Sequence, residues 1–238
     1  MLARSRSSIG AGLHRARWAL LMLLLVGLFV PAATATAAQP PQPAGVNANA
    51  PQPLTDTGVQ FWKWALKEPA STNPLTDTTG QFCDRGQHGR TWFLGGIFSL
   101  TPVGAVTRKC TVPAEKELVF PVLNDIEGGL PGDPTTVAQW RAAAVAAVAT
   151  ATDMVVTVDG RKLPASDLKY EESRVFSLTL PANNIFAVPG PVLFDPIVDV
   201  GYYVHLRPLS PGKHTIRIQG SAGAFVLDVT YKLTIRRP

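Results

Sequence analysis

Two cysteines, Cys83 and Cys110, constrain the fold of this chain more than any other feature, because they enclose an apolar run at residues 92–98. The surrounding residues 73–122 read NPLTDTTGQFCDRGQHGRTWFLGGIFSLTPVGAVTRKCTVPAEKELVFPV. An even cysteine count in an exported protein favours one disulfide bond. Closing this loop would stabilise the fold by about 3 to 4 kcal/mol in the chain-entropy model. The segment therefore predicts a β-rich fold with a Cys83–Cys110 disulfide.

The N-terminal 37 residues have the pattern of a secretory signal. Four arginines precede an uncharged apolar run at residues 18–30, and a proline and an Ala-x-Ala cleavage site at residues 35–37 follow. The apolar run is shorter than the roughly 20 residues that a membrane-spanning helix needs. We therefore expect a secreted, periplasmic or cell-envelope protein with no stable membrane span after cleavage. The alternative is that the segment is retained as an anchor.

Cleavage changes the charge of the chain. The full sequence has 22 Lys and Arg against 17 Asp and Glu, and removing four arginines leaves 18 against 17. The remaining basic pairs, at residues 108–109, 161–162 and 236–237, are scattered and not interleaved with aromatic residues. This pattern predicts solvated strand ends, and no nucleic-acid partner is expected.

The mature chain divides into a linker and one domain. Residues 38–53 are rich in Pro, Gln, Asn and Ala and predict a disordered linker, and residues 54–238 are long enough for one core. A short helix is expected before Pro69. Trp62 and Trp64 fall on different faces of it, which predicts that one of them is half exposed.

A second helix is predicted with Asp133 as N-cap and Pro134 at its first position. Its apolar stripe should pack on a sheet. The stripe consists of Val137, Trp140, Ala144 and Val148.

From residue 155 onward the hydrophobic period changes from 3.6 to 2. Asp159-Gly160 predicts a two-residue hairpin turn, and matching the inward faces of the last two strands pairs Ile218 with Phe225. Many short strands, two helices and no β-α-β alternation predict a mainly β fold. The expected architecture is an antiparallel β-sandwich of jelly-roll or immunoglobulin-like kind with two short helical insertions.

Several phrases resemble a family of uncharacterised secreted bacterial proteins. They span roughly residues 61–235 and include NPLTDTTGQFC, GQHGRTWFLGG, LPANNIF and GYYVHLRPLSPGKHTIRIQG. The resemblance implies export and a β-rich domain. It supplies no catalytic or binding residues for positions in this chain.

Catalytic and metal signatures are weak. No G-x-S-x-G motif occurs, and the cysteines are expected to be oxidised, so the sequence identifies no catalytic nucleophile and the catalytic residues are unknown. No cofactor is expected. Glycosidase-like acid–base chemistry has five candidate carboxyl groups, and an acidic loop offers oxygen ligands for calcium. The carboxyl candidates are Asp77, Asp125, Glu127, Asp195 and Asp199, and the calcium candidates are Asn124, Asp125 and Glu127.

Histidine and aromatic residues supply two further hypotheses. His205 and His214 lie symmetrically about the turn PLSPG, but core parity predicts that His205 faces outward and His214 inward, which argues against a metal pair. Aromatic and polar residues near the disulfide loop are candidates for a sugar platform, with burial of the tryptophans as the alternative. These candidates are Trp62, Trp64, Asp77, Gln87, His88 and Trp92.

These observations favour a non-enzymatic binding or structural module whose partner is a carbohydrate or another cell-envelope component. The alternative is a secreted carbohydrate-active hydrolase that uses loop carboxylates. The sequence does not indicate an oligomeric state.

Overall fold

A computed structural model describes residues 54–98 and 104–237, so the predicted signal and linker lie outside the described residues. The described residues form two α-helices, α1 (Thr57–Ala65) and α2 (Val137–Val148). They also form eleven strands: β1 (Leu54–Thr55), β2 (Thr91–Phe93), β3 (Val106–Pro113), β4 (Glu117–Gly128), β5 (Ala151–Val158), β6 (Arg161–Lys162), β7 (Lys169–Ser173), β8 (Phe176–Leu180), β9 (Val192–Leu206), β10 (Gly212–Ala222) and β11 (Phe225–Arg236).

The strands form two sheets. Sheet A has the order β1-β7-β9-β4-β2 with β8 also paired to β9, and sheet B has the order β3-β11-β10-β5-β6. The predicted β-sandwich with two helices is therefore confirmed. The sheets are mixed rather than wholly antiparallel, because β1–β7, β2–β4 and β3–β11 are parallel pairs.

The two sheets differ in how many faces they bury. One face of sheet A packs against sheet B in a core that includes Phe120, Val204, Ile216 and Val229. The other face of sheet A is covered by α1 in a second apolar cluster. Burial on both faces explains why β4 and β9 contain long apolar runs, whereas β3, β10 and β11 alternate between apolar and polar residues.

Helix α2 packs on the predicted stripe but begins later than predicted. Ala144 and Val148 are its buried residues and contact Val200 of β9. The N-cap is Thr136, whose side chain forms a capping box with Gln139. Asp133, the predicted N-cap, instead accepts a hydrogen bond from the Thr135 N–H in the preceding turn, at 2.8 Å.

The two predicted hairpins have different outcomes. The Asp159-Gly160 turn is confirmed, because both residues have positive φ (50° and 78°) and Val158 pairs with Arg161. In the β10–β11 hairpin, Ala222 pairs with Phe225 and Ile218 pairs with Val229, so the predicted register was wrong. The turn closes in two residues after Ala222, which lengthens both strands and leaves Phe225 partly exposed at the tip.

The predicted disulfide is confirmed, with Cys83 and Cys110 joined and their Cα atoms 6.0 Å apart. It ties a loop to β3, where the Lys109 N–H donates to the Thr79 carbonyl at 2.8 Å and so covers the edge of sheet B. Beside it, Arg108 is buried rather than solvated, with its guanidinium donating to the Asp77 and Gly95 carbonyls. In the part of the chain that is described, no helix has the length and apolar character to cross a membrane.

Candidate ligand-binding face

The tryptophans predicted as a sugar platform belong to the core. Trp62, Trp64 and Trp92 are each at most 6% exposed. Trp64 stacks on Phe93 and donates to the Arg85 carbonyl at 2.8 Å, and Trp92 packs beside Cys110. Both tryptophans of α1 are buried in the second apolar cluster, so the prediction that one of them is half exposed was wrong. None of the three can stack on a ligand at the surface.

One buried network joins Trp62, a candidate for the sugar platform, Asn124, a candidate calcium ligand, and Asp199, a candidate catalytic carboxyl group. Trp62 donates to Asp199 at 2.6 Å, Tyr203 donates to it at 2.8 Å, and Asn124 donates to it at 3.2 Å. Burial raises the pKa of Asp199 to about 7, although these hydrogen bonds oppose the shift. Since Asp199 is only 1% exposed, the network joins α1 to sheet A and offers a substrate no direct access to the carboxylate.

The polar candidates of the disulfide loop hold local structure. Asp77 accepts from the N–H groups of Thr79 and Phe82. Burial would raise the pKa of Asp77, but these hydrogen bonds outweigh it and hold the pKa below its ordinary value. The Gln87 amide bonds both the N–H and the carbonyl of Phe93, completing the edge of β2. His88 is exposed and its Nδ1 contacts the Gly86 carbonyl at 2.7 Å.

The structure does not bring the calcium candidates onto one face. Asn124 pairs with Gly201 and points towards Asp199, whereas Asp125 pairs with Val200 on the face that α2 covers. Glu127 follows two residues later on that same face. Burial raises the pKa of Asp125 to about 8 and that of Glu127 to about 7. Across residues 54–98 and 104–237, no group of three or more acidic, His or Cys side chains is arranged to hold a metal ion.

The remaining candidates are also dispersed. Asp195, the last of the five carboxyl candidates, is exposed on β9. His205 lies on β9 in sheet A and His214 on β10 in sheet B, so the turn PLSPG joins two sheets rather than two paired strands. His205 faces outward beside Glu171 at 3.6 Å. His214 is in register with buried Leu233, as the predicted inward parity requires, and its ring contacts Asp159 at 2.7 Å.

The outer face of sheet B is a broad solvent-exposed surface built by strand alternation. In β3, β10 and β11 every second residue is buried, and the others point away from sheet A. The outward-facing positions on these three strands are mainly threonines and cations. They include the exposed Thr107, Lys109, Thr111, Lys213, Thr215, Arg217 and Lys232 and the half-buried Thr230 and Thr234.

Three lysines of this face lie close together because of the strand register. Lys109 pairs laterally with Lys232, and neighbouring strands are about 4.8 Å apart. Lys213 is one strand further along, in register with Thr234. The lysines border a shallow groove of about 380 Å³ that is also lined by Thr111, Thr234 and His214. We call this groove and its three lysines the lysine groove.

The lysine groove carries uncompensated positive charge. Within the described residues, none of its lysines forms an ion pair, whereas Arg217 on the same face is paired with Asp228 at 2.7 Å. Like charges directly opposite each other on a sheet are destabilising. An anion that bridges Lys109 and Lys232 would relieve this repulsion, and the threonine hydroxyls could hydrogen-bond to neighbouring polar groups of the same ligand.

Comparisons with protein-family models, with curated proteins and with solved structures give no match for this chain. The candidate face therefore depends on geometry and charge alone. Sequence reasoning missed it because Lys109, Lys213 and Lys232 are distant in sequence. The available signal was the polar side of each alternating strand, which is threonine and lysine in all three.

Proposed function

We propose that this protein is an exported, non-enzymatic β-sandwich module that binds an anionic polysaccharide of the cell envelope through the outer face of sheet B. Three adjacent lysines without acidic partners carry the proposal. The disulfide and the signal-like N-terminus support an extracytoplasmic location, where the ligand would be an acidic polymer of the envelope.

A polysaccharide fits this face better than the other common polyanions. Nucleic-acid sites for single strands combine cations with stacking aromatic residues, and no aromatic residue lies among the nine outward-facing positions named above. Lipid surfaces favour cations next to apolar side chains. Here the neighbours of the lysines are Thr111, Thr215 and Thr234. Their hydroxyl groups can donate to and accept from sugar hydroxyls.

The proposal is tested by binding of the secreted, processed protein to immobilised dextran sulfate, polygalacturonate and uncharged dextran. We expect binding to the two acidic polymers that weakens as salt rises, and none to dextran. Binding to dextran as strong as to dextran sulfate would contradict the proposal. So would binding only to DNA or to anionic phospholipid vesicles, which serve as competitors.

A matched pair of triple variants assigns the binding to the face. The test variant is Lys109→Gln, Lys213→Gln and Lys232→Gln, and the control is Lys63→Gln, Lys67→Gln and Lys169→Gln, which removes the same charge elsewhere. An exposed ion pair contributes about 0.5 to 1 kcal/mol, so losing three should weaken binding about tenfold or more. Equal weakening by both variants would mean that the binding is not specific to the lysine groove.

A further inference from the structure

The cations on the outer face of sheet B lie in successive rows that the strand register fixes. Laterally paired residues share a face about 4.8 Å apart, and residues two positions apart on one strand share a face about 6.8 Å apart. The row of Lys109 and Lys232 is followed by a row that contains Lys213, and then by a row that contains Arg236. Arg236 is exposed and has the outward parity of Lys232. Positive charge therefore continues along β10 and β11 beyond the lysine groove.

Three of these cations recur at an even step. Lys213 is in register with Thr234, which lies midway between Lys232 and Arg236 on β11, so its Cα is about 8 Å from each of their Cα atoms. The whole series spans about 14 Å along the strands. Within residues 54–98 and 104–237, Arg236 forms no ion pair, so its charge is uncompensated like those of the lysines.

The other directions across this face are less favourable for an anion. Towards the β10–β11 turn, Arg217 is neutralised by two hydrogen bonds to Asp228, at 2.9 and 2.7 Å, and the next outward residue of β11 is the exposed Val226. Across the sheet, the row of Arg217 continues through Thr157 to Lys162 on β6. A ligand in that row would meet an already neutralised cation before it reached Lys162.

We propose that the ligand is a linear anionic chain that lies along β10 and β11, with Lys232, Lys213 and Arg236 contacting successive anionic groups. This inference rests on the proposed function and adds to it the direction of the ligand and a further binding residue, Arg236. A chain in this direction meets three uncompensated cations within about 14 Å. A single small anion cannot contact all three, so affinity depends on a ligand that is long enough to reach Arg236.

Affinity for dextran sulfate tests the direction with single variants of the secreted protein. At an ionic strength of about 0.15 M, cations that do not contact the chain are largely screened. Arg236→Gln should weaken binding about threefold, because one exposed ion pair is lost, and Arg236→Lys should bind nearly as the unsubstituted protein does. Lys162→Gln removes a charge from the same face outside the proposed direction and should also have little effect. Equal affinities of Arg236→Gln and Lys162→Gln would overturn the inference.

A second readout maps the bound ligand directly. When polygalacturonate fragments are added to ¹⁵N-labelled protein, the amide signals that shift should run along β10 and β11 from Lys232 to Arg236. Shifts that run instead across β5 and β6 to Lys162 would overturn the inference while leaving the proposed function in place. No binding to dextran sulfate or polygalacturonate would overturn the proposed function and, with it, the role given to Arg236.

Discussion

Helix α2 lies over two acidic side chains, and this arrangement makes stability depend on pH. Asp125 and Glu127 share the face of β4 that α2 covers, and one oxygen of Asp125 is buried without a hydrogen-bond partner. Burial and the nearby Glu127 and Asp199 carboxylates raise the pKa of Asp125 to about 8. The one basic residue of α2, Arg141, is engaged with Glu172 at 3.2 Å.

The direction of the effect follows from proton binding. The folded protein holds the Asp125 proton up to a pKa of about 8, whereas the unfolded chain releases it near 3.8. Between these values the folded state binds more protons, so the free energy of unfolding falls as pH rises. One group changes it by at most about 1.4 kcal/mol per pH unit. Asp125 should therefore remove on the order of 3 kcal/mol between pH 5 and pH 8.

The perturbation that isolates this contribution is Asp125→Asn, which keeps the size of the side chain and removes its charge. Urea unfolding followed by tryptophan fluorescence at pH 5 and pH 8 gives the four free energies required. We expect the unsubstituted protein to be markedly less stable at pH 8. The variant should lose less stability over the same range, and Glu127 and Asp199 should account for the remainder.

Asp84→Asn, at an exposed aspartate of the disulfide loop, is the matched control and should leave the pH dependence unchanged. Equal stability of the unsubstituted protein at pH 5 and pH 8 would contradict the role given to Asp125. So would an Asp125→Asn variant that loses as much stability between pH 5 and pH 8 as the control variant does.

Three further predictions concern the framework of the fold. A Cβ at Gly58 would lie 2.0 Å from a carboxylate oxygen of Asp199, so Gly58→Ala should destabilise by about 2 to 3 kcal/mol in urea unfolding, and an unchanged midpoint would contradict the tight contact. Arg108→Met removes the guanidinium donor to the buried Asp77 carbonyl and one of the two donors to the Gly95 carbonyl, which keeps the Tyr231 hydroxyl, and should cost about 2 kcal/mol or more; stability equal to that of Lys109→Gln would show that these contacts are dispensable. Replacing Cys83 and Cys110 by serine should cost about 3 kcal/mol, and adding a reductant to the double variant should change nothing further.

The fold was largely predictable because its signals are local. The alternation in β11, the Asp159-Gly160 turn and the stripe on α2 each depend on neighbouring residues only. The errors arose where a longer-range choice decided the outcome. The β10–β11 register depends on which residues close the turn, and His205 and His214 were compared as partners although their strands belong to different sheets.

The candidate site was less predictable for the same reason. Lys232 is visible on the polar side of β11, but its neighbour Lys109 comes from a parallel strand more than 100 residues earlier in the chain. The sequence left both a sugar platform and burial in the core open for the tryptophans, and the structure shows that all three are buried. Trp62 was a candidate ligand contact in the sequence, whereas in the structure it is buried and donates a hydrogen bond to Asp199 inside the fold.

The measurement that tests the account most directly is the affinity of the secreted protein for dextran sulfate, compared between the two triple lysine variants at fixed pH and salt. The account predicts that Lys109→Gln, Lys213→Gln and Lys232→Gln together weaken binding about tenfold or more. It predicts that the control with Lys63, Lys67 and Lys169 replaced binds nearly as the unsubstituted protein does. Equal affinity of the two variants would contradict the assignment of the lysine groove as the ligand-binding site.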